Sequence, residues 1–232
     1  QSVNRVEDVR FLTGHGGYVD DIAPADVLVA YVLRAPVAHA RIVGLDLDAA
    51  RMHDGVQLVI TAADLQAAGV ALDMTASTVT NLDGSQGAAP MRPLLAQDRV
   101  RFAGEAVAVV IADSLELARD AAEQVVVDYE ELPVHLSLQA GGEPLHSEAP
   151  ENRAFDWGFG TKDATEAAFD KAAHRVCLRI DDNRVIVNSL EPRGCFAEWG
   201  DNRLHLSVNG QGVWNQKNRL VEMLGLTPEQ VR

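Results

Sequence analysis

Short apolar runs broken by proline, glycine or aspartate set the pattern along the first half of the chain. Val27 to Leu33 reads as a strand that Ala35-Pro36 closes, because the residue before proline is restricted and proline cannot donate to a ladder. Ala40 to Leu47 partly alternates apolar and polar positions, and Asp54-Gly55 turns the chain into the β-branched run Val56 to Ile60, so both read as strands. Glu105 to Ile111 is apolar almost without interruption, which predicts a strand buried on both faces. Beyond it, Asp113 or Ser114 can cap a helix whose Leu117, Ala118, Ala121, Ala122 and Val125 share one face, and Val125 to Tyr129 returns as a strand. Leu72 to Asp98 has few large apolar residues and reads as a long loop, often a functional or mobile feature.

The second half carries a weaker pattern. Ser137 to Gly160 holds paired glycines, two prolines and several acidic residues, so it reads as the connection between two structured regions, the first spanning about Gly16 to Leu136. Asp163 and Glu166 open a short alanine-rich helix through Ala173. Strands are predicted at Arg175 to Ile180, Cys195 to Trp199 and Leu204 to Val208, the last two joined through Gly200-Asp201-Asn202 as an antiparallel hairpin. Val213, Leu220, Val221 and Leu224 mark one face of a helix that Gly225 ends.

Composition narrows the function classes. With 47% hydrophobic and 23% charged residues the chain is an ordinary globular sequence, and a net charge of -14 removes the basic footprint expected of a nucleic-acid binder. No run approaches the ~20 apolar residues needed to cross a bilayer, and Gln1 to Arg5 lacks the apolar stretch of a secretory signal, so no membrane partner and a cytoplasmic location are expected. The start at Gln rather than Met leaves room for an upstream segment. The two cysteines, Cys177 and Cys195, are too few for an iron–sulfur cluster and sit in strand-like apolar runs, where burial as small hydrophobes is expected.

Explicit chemistry is sparse: there is no phosphate-binding glycine loop, no His-Glu-x-x-His pair and no histidine spacing suited to a metal, so no protein-ligated metal is expected. Absence of a Gly-x-Ser-x-Gly elbow argues against an α/β hydrolase. Asn209-Gly210-Gln211-Gly212 lies between a strand end and a helix start, a junction where unpaired backbone N–H groups and glycine can admit an anionic or oxo group and a glutamine amide can donate to it. On spacing alone an ordinary strand-to-helix turn with a surface glutamine is the favoured explanation. Glu191-Pro192-Arg193-Gly194 likewise suits an ion pair or backbone clamp without catalysis.

Five stretches occur in order: Gly14 to Ile22 (GHGGYVDDI), Arg34 to Ile42 (RAPVAHARI), Arg99 to Val110 (RVRFAGEAVAVV), Glu191 to Gly194 (EPRG) and Gly210-Gln211-Gly212. Together they resemble the N-terminal portion of the large, molybdopterin-binding subunit of the xanthine dehydrogenase, aldehyde oxidase and carbon monoxide dehydrogenase family. The resemblance implies an α+β fold: an a/b hammerhead domain at residues 1–140, a linker at 141–158, and at 159–232 the first, incomplete part of a molybdenum-cofactor-binding domain. It implies a molybdenum hydroxylase that oxidises a small substrate at a C–H or carbonyl-type carbon with water-derived oxygen. Gln211 would contact an oxo ligand of the molybdenum, and Gly210, Gly212 and Arg193 would help bind molybdopterin, in its dinucleotide form. The implied partners are the remaining molybdopterin-binding domain and iron–sulfur and FAD subunits or domains.

The family's Gly-Gly-Phe-Gly segment, second cofactor domain and late glutamate base are absent from the chain, which is therefore expected to be inactive alone, as a fragment or split subunit. The competing expectation is a non-catalytic scaffold or binding module that keeps the hammerhead fold. Val37 departs from the histidine common in the Arg-x-Pro-His-Ala-His pattern of the family, while His39 is kept.

Overall fold

The computed structural model describes residues 3, 5–74, 78–183, 185–189 and 191–232. Its contacts divide the chain into two compact units. The larger comprises 1–74, 93–134 and 190–232; the smaller comprises 75–92 and 135–189.

Two antiparallel three-stranded sheets build the larger unit. In one, β5 (Ala106–Ala112) lies between β1 (Val29–Arg34) and β3 (Val56–Thr61); in the other, β2 (Ala40–Asp46) lies between β4 (Arg99–Val100) and β6 (Val126–Glu131). The strand predicted to be buried on both faces is β5, whose Val107, Ala108, Val110 and Ala112 are fully shielded from solvent. Helix α5 (Leu115–Glu123) packs Ala118, Ala121 and Ala122 onto Val59, Val110 and Ala112, so small side chains let the helix approach the sheet closely. Ser114 caps it, with Leu117 N–H donating to the Ser114 hydroxyl at 3.3 Å. A second core gathers Ala35, Ala40, Ala96, Val100 and Val107. Although β5, α5 and β6 follow one another in sequence, β5 and β6 belong to different sheets.

Two sequence stretches grip each other at the edge of this core. Ala35 N–H donates to Glu105 O and Gly104 N–H to Ala35 O, each at 2.8 Å, while the Arg34 guanidinium donates to Gly104 O at 2.9 Å. His39 is buried and its Nδ1–H donates to Pro133 O at 2.7 Å; Nε2 has no partner among the described residues. The hairpin of β7 (Cys195–Gly200) and β8 (Arg203–Val208) forms as predicted, through Asp201 and Asn202 at φ 50° and 60°. Val231 adds a parallel bridge on the outer edge of β8, where Arg232 N–H donates to Leu204 O and Leu206 N–H to Arg232 O, both at 2.9 Å.

The smaller unit has helix α6 (Lys162–Lys171) and no named strand among its described residues. The segment 137–160 is organised by Asn152, whose Oδ1 accepts from Leu145 N–H while Nδ2 donates to Gly141 O and Glu143 O. Two sequence expectations fail. Arg175 to Ile180 forms no strand: Val176, Leu178 and Ile180 are 91%, 80% and 76% exposed, because alternation supplies an apolar edge but no described sheet of this unit offers it a ladder. Cys177 and Cys195 are exposed rather than buried, the first on that segment and the second on a two-stranded ribbon with an uncovered face.

Helix α4 (Ala62–Ala67) depends on its cap: Thr61 N–H and hydroxyl both donate to Asp64 Oδ2, at 2.8 and 2.6 Å, and Asp64 N–H donates to the Thr61 hydroxyl at 3.4 Å. The Thr61 hydroxyl, then the Thr61 N–H, hold the Asp64 carboxyl below its ordinary range; Arg51 adds to this and burial opposes it. A carboxyl depressed in the folded state adds stability above its unfolded pKa, and loses it as pH falls through the folded value. Thr61→Ala is expected to cost about 1 kcal/mol at neutral pH, and urea unfolding followed below about pH 4 should show the variant's deficit shrinking. A deficit that stays constant with pH would assign the loss to something other than the cap.

Candidate functional site

Helix α7 (Val213–Leu224) starts where the chain leaves β8, and Gly212 makes that start possible. It sits at φ 77° and ψ 65°, a left-handed conformation strained for any residue with a side chain. The turn leaves the first N–H groups of α7 without intrahelical acceptors; the first helical bond, Gln216 N–H to Gly212 O, is 3.1 Å. Gln216 folds back so that its Nε2 donates to Gln211 O at 3.3 Å, and it covers Gly210 so closely that a Cβ there would collide with the same amide. Gln211 is exposed, and no described residue pairs with its side-chain amide.

The two motifs singled out separately in the sequence meet here. Asn209 Oδ1 accepts from Gly194 N–H at 2.9 Å, and Asn209 Nδ2 donates to Glu191 O at 3.5 Å and to Pro192 O. Glu191 reaches further: its Oε1 accepts at 3.0 Å from Val19 N–H, the first residue of the short helix α2 (Val19–Ile22). Three of the ordered stretches are thus joined end to end. In the sequence Asn209 stood only as the first residue of its motif, with no role of its own, and Gln216 was not picked out; an asparagine ending a strand before glycine was the available signal.

A groove of about 480 Å³ runs beside this junction. Ile22, Leu206, Val208, Val213 and Leu220 line it with apolar side chains, and Glu191, Asn209, Gln216, Lys217 and Arg232 with polar ones. Gly210 lines it; Gln211, Gly212 and Arg193 border the junction without being part of its lining. Arg193 is exposed just before β7. Among the described residues no three His, Cys, Asp or Glu side chains gather to hold a metal, and no helix is long and apolar enough to cross a membrane.

Residues 13–133 match the family described as aldehyde oxidase and xanthine dehydrogenase, a/b hammerhead domain, and residues 145–232 match the molybdopterin cofactor-binding domain. The chain is 40% identical over 217 residues to the nicotine 6-hydroxylase large subunit of Paenarthrobacter nicotinovorans, covering 90% of this chain and 25% of that protein. It is 36% identical over 243 residues to the carbon monoxide dehydrogenase large chain of Hydrogenophaga pseudoflava, covering 96% and 28% respectively. The crystal structure of quinoline 2-oxidoreductase from Pseudomonas putida 86 superposes with a TM-score of 0.79 at 32% identity, over 99% of this chain and 29% of that one. The chain therefore spans little more than a quarter of the length of these relatives.

Removing the Glu191 carboxylate should loosen α2. Glu191→Ala is expected to cost about 1.5 kcal/mol, the scale of a hydrogen bond to a charged group, and so to speed exchange of the Val19 amide about tenfold, whereas Glu191→Gln, which keeps an acceptor oxygen, should not. Equal exchange in all three proteins would remove this contact from the account.

Proposed function

The chain belongs to the aldehyde oxidase and xanthine dehydrogenase family, its hammerhead domain followed by the start of a molybdopterin-binding domain, and on that premise we propose that it forms one wall of a molybdenum hydroxylase active site. The observation that carries this reading is the uncommitted Gln211 amide, held at a glycine-flanked strand-to-helix junction beside an open groove.

The residues fit a contribution to such a site. Gln211 would offer its amide N–H to the cofactor, the α7 start would offer backbone N–H groups, and Gly210 and Gly212 would let the group come close to the backbone. Arg193 would add a guanidinium at the same end of the hairpin. When bound, the molybdenum cofactor supplies redox chemistry at the metal, while protein groups supply position and electrostatics. This chain's share is to orient one donor and shape one side of the groove. A base and most of the cofactor's contacts would come from the remaining molybdopterin-binding domain.

The same reading takes the chain as an N-terminal part or split subunit, inactive without that domain, with boundaries at 1–140, 141–158 and 159–232. Molybdopterin in its dinucleotide form, iron–sulfur and FAD subunits or domains as partners, and a cytoplasmic location belong to it. Its substrate is a small molecule oxidised at a C–H or carbonyl-type carbon with water-derived oxygen. The activities in the names of the relatives, on nicotine, quinoline and carbon monoxide, support that breadth without selecting among them.

Two experiments test the proposal. Production together with the remaining cofactor-binding portion should give a complex that contains molybdenum; a chain that stays apart from that portion would overturn the reading and leave the scaffold alternative. Within the complex, Gln211→Ala should lower turnover by roughly 10- to 1,000-fold, the scale of removing one positioned donor. Unchanged turnover would separate Gln211 from the reacting centre.

A further inference from the structure

We propose that Asn209 is the positioning residue of the Gln211 site: its side-chain amide ties the Glu191–Gly194 loop to the exit of β8 and so fixes where Gln211 leaves the sheet. The inference rests on the role proposed for Gln211.

The register of the hairpin shows why a side chain is needed at this point. The ladder between β7 and β8 closes with Cys195 opposite Val208, so Gly194 and Asn209 are the first residues beyond it. A further rung would hold the backbone at 209 against 194 and carry the chain straight on, away from the turn into α7. Instead the side chain of Asn209 takes over the rung: its Oδ1 accepts from Gly194 N–H at 2.9 Å, and the backbone at 209–212 is free to turn. Nδ2 meets the carbonyls of Glu191 and Pro192 on the same loop. A backbone N–H requires an acceptor and two carbonyls require a donor, so the orientation of this amide is set by chemistry.

Aspartate, of the same size, would set a second acceptor against those carbonyls. Downstream, Gln216 holds Gln211 through its main-chain oxygen at 3.3 Å. Gln211 thus lies between the Asn209 clamp two residues upstream and the Gln216 contact to its own carbonyl, while its amide stays unspent, the arrangement expected of a donor meant for a group outside the chain.

The test uses the assembled, molybdenum-loaded enzyme carrying Asn209→Ala, Asn209→Asp or Asn209→Ser, each alone and combined with Gln211→Ala. Asn209→Ala and Asn209→Asp should each lower kcat about tenfold or more, the cost of a modest misplacement, with molybdenum content and KM kept. Exchange of amides in 191–196 should quicken at the same time. On the Gln211→Ala background the Asn209 substitutions should cost less than twofold further, because the residue acts through Gln211.

Equal losses on both backgrounds would overturn the proposal, as would an Asn209→Asp enzyme indistinguishable from the parent, which would reduce the residue to a space-filler. Should Asn209→Ala fail to fold, the Asp and Ser variants carry the same comparison. If Gln211→Ala alone leaves turnover intact, the functional reading fails, while exchange in 191–196 still decides whether Asn209 holds the loop.

Discussion

A backbone N–H or C=O that leaves its ladder must find another partner when shielded from water. In this chain that requirement is met between segments far apart in sequence. Ala35 is paired with Gly104 and Glu105, Val19 with the Glu191 carboxylate, and Gly194 with the Asn209 amide. Each of these bonds contributes on the order of 1 kcal/mol net, but an unmet shielded group would cost more than its bond contributes. The constraint therefore acts on pairs of segments rather than on single residues. Removing the Glu191 carboxylate or the Asn209 amide leaves a distant backbone N–H without its acceptor.

The same logic explains why the junction at residues 209–212 is well fixed although it is exposed. Two-stranded hairpins are marginal by themselves; this one gains a bridge from Val231 on one edge and the Asn209 contacts at its end. What it presents, a glutamine amide and a helix start, faces open solvent. Two unit charges 4 Å apart attract by about 1 kcal/mol in water and about 4 kcal/mol at an effective dielectric constant near 20. Donors in such a setting are weakened by water, and on the proposed reading it is further protein around the groove that would exclude it.

Much of the fold was legible because β-branched runs and turn residues act locally. The strands of the larger unit other than the two-residue β4, and the hairpin through Asp201 and Asn202, follow from side chains whose preference needs no distant partner. Helix α4 was missed because Ala-Ala-Asp-Leu-Gln-Ala has no apolar stripe, and only the Thr61 and Asp64 cap announces it. The strand expected at Arg175 to Ile180 and the burial expected of both cysteines failed for the opposite reason: alternation states what a segment could pair with, while pairing depends on a neighbour. At the junction, Gln211 and its glycines stood out by residue type. The contact of Asn209 with Glu191, Pro192 and Gly194 did not, since no pattern within either segment reports its distance from the other.

The uncovered side chains of the smaller unit also bear on the behaviour of the polypeptide in solution. Val176, Leu178 and Ile180, then Val185, Ile186 and Val187, are exposed residues with high strand propensity. Extended segments of this kind recruit like segments from other molecules unless something caps them first. A net charge of -14 spreads repulsion over the entire surface, but repulsion of that range is screened beyond about 10 Å in ordinary buffer and is weakest against a local zipper of valines and isoleucines. These few aliphatic positions are accordingly where self-association is expected to begin, with the surface charge opposing it.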